Sequence, residues 1–358
     1  MDIVYDVIII GGGAAGVMTA LELTANSHLT IAILEKAKRL NDARNIGYCW
    51  LGASARSYAR ITNSPSVGGV GFSDSEFTQY KEYMEHFLGQ KLEFEHTDLK
   101  KKALNALKAA DLTAKQFDYA IVPEDGFIKI ADRMHMVLKP DINIYHKIEI
   151  VGIEKKQENS EEIFEITTED KTYKARKLII GTGRSSQTWF EELPKNFTIP
   201  YSEDEYEIGV RIEIPNVHVD KVLGKDFDSK IVFDDEALKD WKVTAPVKKM
   251  NIETEEIGDL KTSNTRQSNH GKKNYVSFAI MHTVKSKSAA KDVERLIGLS
   301  NVLGDYQLSR EPTAKLMDDS SVLSPIPEFK LFKKPLAALG RLCPEILTKS
   351  MLYSPEAP

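Results

Sequence analysis

The sequence predicts an α/β fold, with a parallel sheet in an amino-terminal domain and mixed helices and strands in a second domain. Residues 7–10 are apolar and β-branched, which is typical of a strand buried on both faces of a parallel sheet. Helical spacing follows, with Val17, Ala20 and Leu21 on one face, and residues 29–34 form a second β-branched strand. These segments predict a βαβ unit, and after residue 200 the pattern changes to the alternation of half-buried strands.

A glycine-rich turn joins the first strand to the first helix. Its residues satisfy the pattern G-x-G-x-x-G: Gly11, Gly12, Gly13, Ala14, Ala15 and Gly16. Glycine at position 11 permits a tight turn, and glycine at position 16 lets the helix pack close to the strand. The missing side chain at position 13 lets the backbone approach a pyrophosphate, which the helix dipole and free N–H groups attract. Because strand, turn and helix occur in the required order, the unit predicts a Rossmann-like dinucleotide-binding domain.

An acidic residue, Glu35, ends the second strand and lies 24 residues after Gly11. In this position a carboxylate accepts hydrogen bonds from the adenosine ribose hydroxyls and repels a 2′-phosphate. We therefore assign Glu35 and the adjacent Lys36 to the nucleotide site and do not expect NADP in it.

A later segment of the sequence helps to decide whether the ligand is FAD or NAD. The apolar strand that ends at Ile180 runs into the turn Gly181, Thr182, Gly183 and Arg184. This turn resembles the A-T-G-R segment of two-domain flavoproteins, with Gly181 in place of the alanine. The resemblance implies that the turn passes beside the FAD pyrophosphate and that the strand near Ile150 approaches the adenine. An ordinary strand with a glycine turn also explains the segment alone, but the chain has no second G-x-G-x-x-G for an NAD domain, so FAD is favoured.

The stretch 44–56 follows the second strand and is rich in small residues. In many flavoproteins a loop in this place runs past the pyrophosphate toward the flavin ring, and Gly52, Ala53 and Ser54 allow such an approach. Arg56 is a candidate for binding a phosphate or an anionic substrate group. A surface loop with solvated arginines explains the same residues equally well.

Several stretches together resemble the poorly characterised FAD-dependent dehydrogenases, which are close in layout to the aminoacetone-oxidase-like flavoproteins. Besides the amino-terminal turn, these stretches are residues 181–186, 207–215 and 268–279. The resemblance implies a flavoprotein layout of the two-dinucleotide-binding-domain type, FAD as cofactor and oxidoreductase activity. NAD(P)H is then a candidate diffusible reductant.

Two features depart from that family. Many members carry a cysteine before the third of these stretches, but residues 241–251 contain none, which excludes a redox cysteine there. Members also finish with a strand and a Gly-Asp motif that contacts FAD, whereas this sequence reaches Pro358 soon after a predicted helix. We therefore expect residues 335–358 to be a truncated return to the FAD domain that lacks the Gly-Asp segment.

The remaining patterns predict the domain layout. Residues 1–74 and 118–199 form a discontinuous FAD-binding domain, residues 75–117 a helical insertion, and residues 200–334 the substrate domain. In the substrate domain, periodicity predicts three strands and one amphipathic helix, at residues 208–214, 230–233, 276–281 and 289–303. The polar stretch 248–273 predicts a long exposed loop, with a lid as the alternative.

The composition and net charge of the chain limit the classes of partner that it is expected to bind. A net charge of −5 gives no attraction to nucleic acid, and no apolar run approaches the roughly 18 residues of a membrane span. Cys49 and Cys343 form neither a CxxC pair nor a disulfide framework, which suits the cytoplasm. We therefore expect a cytoplasmic protein with a small-molecule substrate, without a nucleic-acid partner, a membrane partner or a metal. The oligomeric state is left open.

Beyond the cofactor site, Arg211 is the candidate for a substrate contact, since a guanidinium in an interdomain cleft binds an anionic group bidentately. Pairing with Glu207 or Glu213 on the same strand is the alternative. No catalytic base is identified, and flavins carry hydride and electron chemistry themselves. The leading prediction is an FAD-dependent oxidoreductase that binds a small molecule between two domains. The alternatives are an NAD-dependent dehydrogenase and a non-catalytic flavin- or nucleotide-binding protein.

Overall fold

The computed structural model describes residues 3–37, 50–52, 60–62, 73–97, 99–122, 126–158, 160–183, 197, 199, 205–257, 259–267 and 271–357. The chain divides into two compact units. The first comprises Met1–Ala59, Tyr80–Lys91 and Val122–Tyr201, and the second comprises Arg60–Gln79, Leu92–Ile121 and Ser202–Pro358. The domain boundaries given above stay a prediction.

Helices and strands are numbered along the described part of the chain. The strands are β1 Val4–Ile10, β2 Ile31–Glu35, β3 Arg60–Thr62, β4 Glu95–His96, β5 Leu112–Lys115, β6 Asp118–Ile121, β7 Asn143–His146, β8 Ile150–Glu158, β9 Glu161–Thr168, β10 Thr172–Ile180, β11 Glu205–Pro215, β12 Lys230–Phe233, β13 Trp241–Val243, β14 Val247–Ile257, β15 Leu260–Gln267, β16 Lys272–Lys285, β17 Ser309–Pro312 and β18 Met351–Glu356. The helices are α1 Ala14–Asn26, α2 Asp74–Leu88, α3 Lys101–Ala109, α4 Gly126–Leu138, α5 Asn216–Leu223, α6 Ala289–Leu303, α7 Thr313–Met317, α8 Pro327–Lys330, α9 Lys333–Leu342 and α10 Glu345–Thr348.

The sheet of the first unit has the strand order β7-β2-β1-β10-β9-β8. Strand β1 pairs in parallel with β2 and β10, and β2 pairs in parallel with β7. Strands β9 and β8 add an antiparallel edge. Ile8 and Ile9 point to opposite faces of β1 and are both fully buried, so the sheet is covered on both sides here. The predicted Rossmann-like parallel sheet is confirmed, and it carries two antiparallel strands in addition.

Helix α1 connects β1 to β2 and packs on this sheet through the face that the sequence predicts. Its buried residues are Gly16, Val17, Ala20 and Leu21. In the sheet, Ile10 at the end of β1 lies beside Leu34 of β2 and Ile180 of β10. The glycine-rich turn therefore follows β1 at the edge where the carboxyl ends of three parallel strands meet.

The larger sheet belongs to the second unit. Its pairing runs β11-β18-β15-β14-β16-β13-β12-β5, with β17 on β18 and a further pairing between β11 and β16. Side chains alternate along β11, so one face is apolar and the other is polar. The apolar face enters a large core and consists of Ile208, Val210, Ile212 and Ile214. The polar face carries Glu207, Arg211 and Glu213. The alternation predicted for residues 208–214 is thus confirmed.

Other sequence predictions in this unit agree with the structure. Strand β12 and helix α6 have the predicted bounds, and β16 contains the predicted strand 276–281. A small sheet of three strands, in the order β3-β6-β4, also lies in this unit. Within the described residues, none of the helices has the length and apolar character needed to cross a membrane.

Residues 248–273 do not form the predicted exposed loop. Most of this stretch is the hairpin of β14 and β15, which pair antiparallel from Met250 with Gln267 to Ile257 with Leu260. The loop prediction is wrong because Glu, Lys, Thr and Asn occupy both faces of these strands, so no apolar alternation marks them. The remaining strand signal is the β-branched content, which includes Ile252, Thr254, Thr262 and Thr265.

The segment near the carboxyl end contains a strand that the sequence does not indicate. Strand β18 pairs antiparallel with both β11 and β17, so it completes the second sheet instead of returning to the FAD domain. This strand contains no Gly-Asp motif, so it is not the FAD-contacting strand that the resemblance would require. Five of the six residues of β18 are buried. Its Ser354 and Pro355 are residues typical of turns, which conceals the strand in the sequence.

A buried ion pair holds β18 against β11. The guanidinium of Arg211 donates from Nε to Glu356 over 2.9 Å and from Nη2 to the other oxygen of the same carboxylate. Its Nη1 donates to Ser277 over 3.2 Å, and the hydroxyl of Ser263 donates to Glu356. The two charged residues are only 6% and 7% exposed. Loss of one partner would therefore leave an uncompensated charge in the interior.

We expect Glu356→Gln to lower the free energy of unfolding by about 3 kcal/mol, because Arg211 would stay buried without its counter-charge. Replacing both partners, as R211M with E356M, should recover much of this loss. Urea unfolding followed by circular dichroism measures both effects. As a control, Glu236→Gln removes an exposed partner of Lys239 and should leave the unfolding midpoint unchanged. Equal effects of the two single substitutions would contradict the role of the buried pair.

Candidate dinucleotide-binding site

Three strand ends meet at the glycine-rich turn. The Gly11 N–H donates a hydrogen bond to the Leu34 carbonyl over 2.9 Å, and the Gly181 N–H donates to the Ile10 carbonyl over 2.8 Å. The turn after β1 is thereby attached to the ends of both β2 and β10. Ligands of open α/β folds bind at this edge, outside the carboxyl ends of the strands.

Three glycines of the turn are required by the protein's own packing. A Cβ atom at Gly11 would lie 2.4 Å from the Gly181 carbonyl oxygen, and one at Gly16 would lie 2.0 Å from the Gly11 carbonyl oxygen. A Cβ atom at Gly12 would lie 2.8 Å from a carboxylate oxygen of Glu35. Gly11 also has a φ of +101°, which residues with side chains rarely adopt.

Gly13 differs from these three, because none of the described residues requires a glycine there. Its φ of −72° is accessible to any residue. The nearest heavy atom to a Cβ at this position would be the Gly181 carbonyl oxygen, 3.9 Å away, which is an ordinary contact. A glycine in such a place is explained by a ligand that approaches the backbone closely, as a dinucleotide pyrophosphate does. The residues present therefore fit the cofactor.

Helix α1 begins directly after Gly13 and presents an N-terminus suited to an anion. Gly13 occupies the N-cap position and supplies no side-chain hydrogen bond, and the first turn contains no acidic residue. The side chains of Ala14 and Ala15 are small and exposed. The free N–H groups and the positive end of the helix dipole can therefore bind phosphate oxygens.

Glu35 is buried, and its carboxylate accepts two backbone hydrogen bonds. Oε2 accepts from the Gly12 N–H, and Oε1 accepts from the Ala37 N–H over 2.6 Å. Glu35 thus holds the glycine-rich turn against the end of β2, a role that the sequence pattern does not predict. Each carboxylate oxygen keeps a second lone pair for a ribose hydroxyl, so the predicted ribose contact is chemically compatible and stays a prediction.

Trp50 packs behind the turn and is a site residue that the sequence reasoning missed. Its ring would lie 2.8 Å from a Cβ atom at Gly12, so it closes the space behind that glycine. The indole N–H donates to the Ala131 carbonyl over 3.1 Å, and the indole meets the His135 ring edge-on, with 5.1 Å between centroids. The signal in the sequence is a large aromatic residue just before the small residues 52–55.

The segment 50–52 runs beside the glycine-rich turn. The Leu51 N–H donates to the Gly12 carbonyl over 2.7 Å, and Leu51 forms a parallel bridge with Gly13. Gly52 has a φ of +67°, and a Cβ atom there would lie 3.7 Å from the Gly13 Cα. The structure thus brings Gly52 next to Gly13. The other candidates of this loop lie outside the described residues: Ala53, Ser54 and Arg56.

The turn 181–183 contacts the glycine-rich turn as well. A Cβ atom at Gly181 would lie 3.5 Å from the nearest atom, the Gly16 nitrogen, so the alanine of the flavoprotein pattern would fit here. Gly183 has a φ of +68°, which explains why a glycine occupies this position. Thr182 is half-buried between them. Arg184 lies outside the described residues.

Lys36 and Ile150 lie near the end of β2. The Lys36 ammonium pairs with Glu149 at 2.8 Å, and both side chains are exposed. The Ile148 N–H donates to the Glu35 carbonyl over 2.9 Å, and Ile150 begins β8 two residues later. The structure therefore brings the described candidates of the nucleotide site to one end of the first sheet. Their contacts with a nucleotide stay a prediction.

Arg211 lies on the second sheet, where it pairs with Glu356. The predicted pairing with Glu207 or Glu213 is wrong, because those carboxylates bind lysines of other strands. The partner comes from β18, a strand that the sequence does not indicate. A substrate contact for Arg211 stays a prediction.

Residues 5–188, or 184 of the 358 residues, match the family of pyridine nucleotide-disulphide oxidoreductases. The chain belongs to this family. The matched range contains the glycine-rich turn, Glu35 and the turn 181–183. The predictions of an FAD-dependent oxidoreductase family and of FAD as its cofactor are confirmed.

Several solved structures are similar to this chain. Glycine oxidase from Geobacillus kaustophilus has 14% identity and a TM-score of 0.42 over 99% of this chain and 83% of its own. L-α-Glycerophosphate oxidase from Mycoplasma pneumoniae, solved with FAD bound, has 13% identity and a TM-score of 0.40 over 80% and 85%. The Diels-Alderase of pyrroindomycin biosynthesis has 15% identity and a TM-score of 0.39, and the similarity covers 77% of this chain and 46% of that enzyme. No curated protein matches the sequence.

The cysteines of this family member do not form a recognisable redox pair. Cys49 and Cys343 are far apart in the sequence, and Cys49 lies outside the described residues. Burial, together with a hydrogen bond to Glu345, raises the pKa of the Cys343 thiol to about 11. The Cys343 thiol therefore stays protonated at neutral pH and is a poor nucleophile. In the described part of the chain, no group of three His, Cys, Asp or Glu residues could hold a metal ion.

We expect Gly16→Ala to lower the free energy of unfolding by about 2 kcal/mol or more, because its Cβ would overlap a main-chain oxygen that cannot rotate away. Gly181→Ala is the matched control, since its Cβ would make only an ordinary contact. Thermal unfolding of both variants without added FAD measures the difference. A Gly16→Ala protein as stable as Gly181→Ala would contradict the packing argument.

Proposed function

We propose that the protein is an FAD-dependent oxidoreductase that acts on a small molecule. The observation that carries this proposal is Gly13, a glycine that the described protein atoms do not require, placed directly before the N-terminus of α1. Family membership supports the same reading. FAD, when bound, supplies hydride and electron transfer, and the protein supplies binding, orientation and electrostatics.

The residues of the turn would bind the two phosphates of FAD. The backbone at Gly13 would allow close approach, and the N–H groups of Ala14 and Ala15 would donate to phosphate oxygens. Glu35 would accept from the ribose hydroxyls with its remaining lone pairs, while its negative charge would disfavour a 2′-phosphate. The ribityl chain and flavin would then run along Gly52, Ala53 and Ser54. The turn from Gly181 to Arg184 would flank the pyrophosphate, and Ile150 would approach the adenine.

The proposal also names residues that would bind the substrate and a molecule that would donate electrons. Within the described residues, three of the five N–H donors of Arg211 bind Glu356 and Ser277, so a substrate contact of this buried side chain would use the other two. Arg56 is the second candidate for such a group. NAD(P)H would serve as a diffusible reductant. A cytoplasmic location is part of this proposal, supported by the absence of a disulfide pattern in the sequence.

We expect the purified protein to carry a flavin absorption spectrum, which bleaches when the protein is reduced anaerobically with NADH, NADPH or another donor. A colourless protein that gains thermal stability with NAD would indicate an NAD-dependent dehydrogenase instead. Bound flavin that no tested donor reduces would indicate a non-catalytic flavoprotein.

We expect Gly13→Ala to weaken FAD binding at least about tenfold, since the added methyl group would stand between the backbone and the pyrophosphate. Its thermal stability without FAD should match that of the unchanged protein, because the Cβ meets nothing closer than 3.9 Å. Titration of the apoprotein with FAD, followed by flavin fluorescence, measures the affinity, and Gly298→Ala on α6, where a Cβ would meet nothing closer than 3.8 Å, serves as control. Unchanged affinity in Gly13→Ala would overturn the assignment of this turn to FAD.

A further inference from the structure

A cavity of about 340 Å³ lies in the second unit, on the apolar side of the larger sheet. Its interior is lined by Ile208 of β11, His282 of β16, Leu296 of α6, and Phe329 and Phe332 from the region of α8 and α9. The volume falls within the range of pockets that hold small organic molecules.

This cavity is separate from the surface that carries Arg211. Ile208 and His282 are directly opposite each other in the pairing of β11 with β16. Because side chains alternate along a strand, Arg211 points to the other face of the sheet. The cavity residues all belong to the second unit, whereas the glycine-rich turn belongs to the first. None of the residues that line this cavity is among those proposed to bind FAD.

The interior of the cavity is apolar and aromatic. Phe329, Phe332, Leu296 and Ile208 are each at most 3% exposed. The His282 ring stacks on Trp241, with 4.2 Å between centroids and 16° between planes. Burial lowers the pKa of His282, so its imidazole is neutral at pH 7 and adds no positive charge. The lining thus offers aromatic surface to a ligand.

The charged residues of the cavity are at its more exposed side. Arg295 donates to Glu328 over 2.6 Å, and these side chains are 52% and 38% exposed. Asp292 accepts from Ser286 over 2.8 Å and from Ser288 over 3.1 Å. Two carboxylates and one guanidinium leave a net charge of about −1 around the cavity. A positively charged group is therefore favoured there and an anionic group is disfavoured.

We propose that this cavity binds a small aromatic amine, with its ring in the apolar interior and its ammonium group beside Asp292 and Glu328. Burial of one ring against Phe329 and Phe332 supplies apolar contact, and their aromatic faces attract a cation. Within the described residues, the Arg295 guanidinium pairs with Glu328, whereas the Asp292 carboxylate accepts from the hydroxyls of Ser286 and Ser288 and keeps its charge for the ammonium group. This site goes beyond the proposed redox function and does not depend on bound FAD.

The test compares two probes that share a phenyl ring and a chain of similar length but carry opposite charges. Calorimetric titration of the full chain at pH 7 with 2-phenylethylamine should show saturable binding. Titration with 3-phenylpropanoate should show binding at least about tenfold weaker, because the carboxylates repel it. Equal binding of the two probes, or no binding of the amine at millimolar concentration, would overturn the proposal.

Two variants locate the binding. Asp292→Asn should weaken amine binding at least about fivefold, whereas Glu294→Gln, an exposed residue two positions along the same helix that does not line the cavity, should leave it unchanged. Leu331→Trp should also weaken binding, because Leu331 lines the cavity and is 52% exposed, so a larger side chain there narrows the opening without disturbing the core. Circular dichroism confirms folding of each variant. Binding that is unaffected by both Asp292→Asn and Leu331→Trp would place the amine elsewhere and refute the site.

Discussion

Close packing of main-chain atoms around Gly11 and Gly16 is the constraint on which the first unit depends. The strand end, the start of α1 and the turn after β10 approach one another so closely that a single methyl group at either glycine would overlap a carbonyl oxygen. Gly13 stands within the same turn and lacks that restriction. One short segment therefore combines glycines that the fold requires with a glycine that ligand binding explains.

Glu35 and Trp50 extend this constraint to the surrounding chain. The Glu35 carboxylate accepts hydrogen bonds from the N–H groups of Gly12 and Ala37, and these bonds join the turn to the end of β2. The indole fills the space behind Gly12 and anchors the segment 50–52 to α4 through Ala131. Glu35, which the sequence pattern assigns to a ribose contact, thus also holds the glycine-rich turn in place without a bound ribose.

The two sheets use charge in different ways. The first is apolar through its centre, so its strands β1 and β2 are recognisable as largely apolar runs. The second carries charged residues on one face, and several of these are buried and paired across strands. Arg211 is the clearest example, since its bidentate partner Glu356 comes from a strand far along the sequence. In the sequence, an arginine in this place suggests a contact with an anionic substrate. In the structure, Arg211 forms an ion pair that links β11 to β18.

Elements of the fold could be predicted from the sequence where a local periodicity or a fixed spacing of residues marks them. The glycine-rich turn, the buried stripe of α1, the strand 208–214 and helix α6 are all of this kind. The hairpin of β14 and β15 was not predictable, because both of its faces are polar and its pairing is visible only in three dimensions. Trp50 and Ala131 are similarly far apart in the chain, and no spacing rule relates them. The contacts of Glu35 with backbone N–H groups depend on the turn geometry, which residue types alone do not determine.

The pairing of β18 with β11 has a consequence for how the chain is made. Arg211 and Glu356 are 145 residues apart, and β1 must likewise find β10 across the greater part of the first unit. Contacts this distant in sequence close slowly, because the entropy of a long loop is lost before the contacts form. During synthesis β1 stays without β10 until residue 180 has emerged, and one edge of β11 stays open until residue 356 has emerged. Over that interval Arg211 lacks the carboxylate of Glu356, and its charge can stay hydrated until β18 pairs with β11.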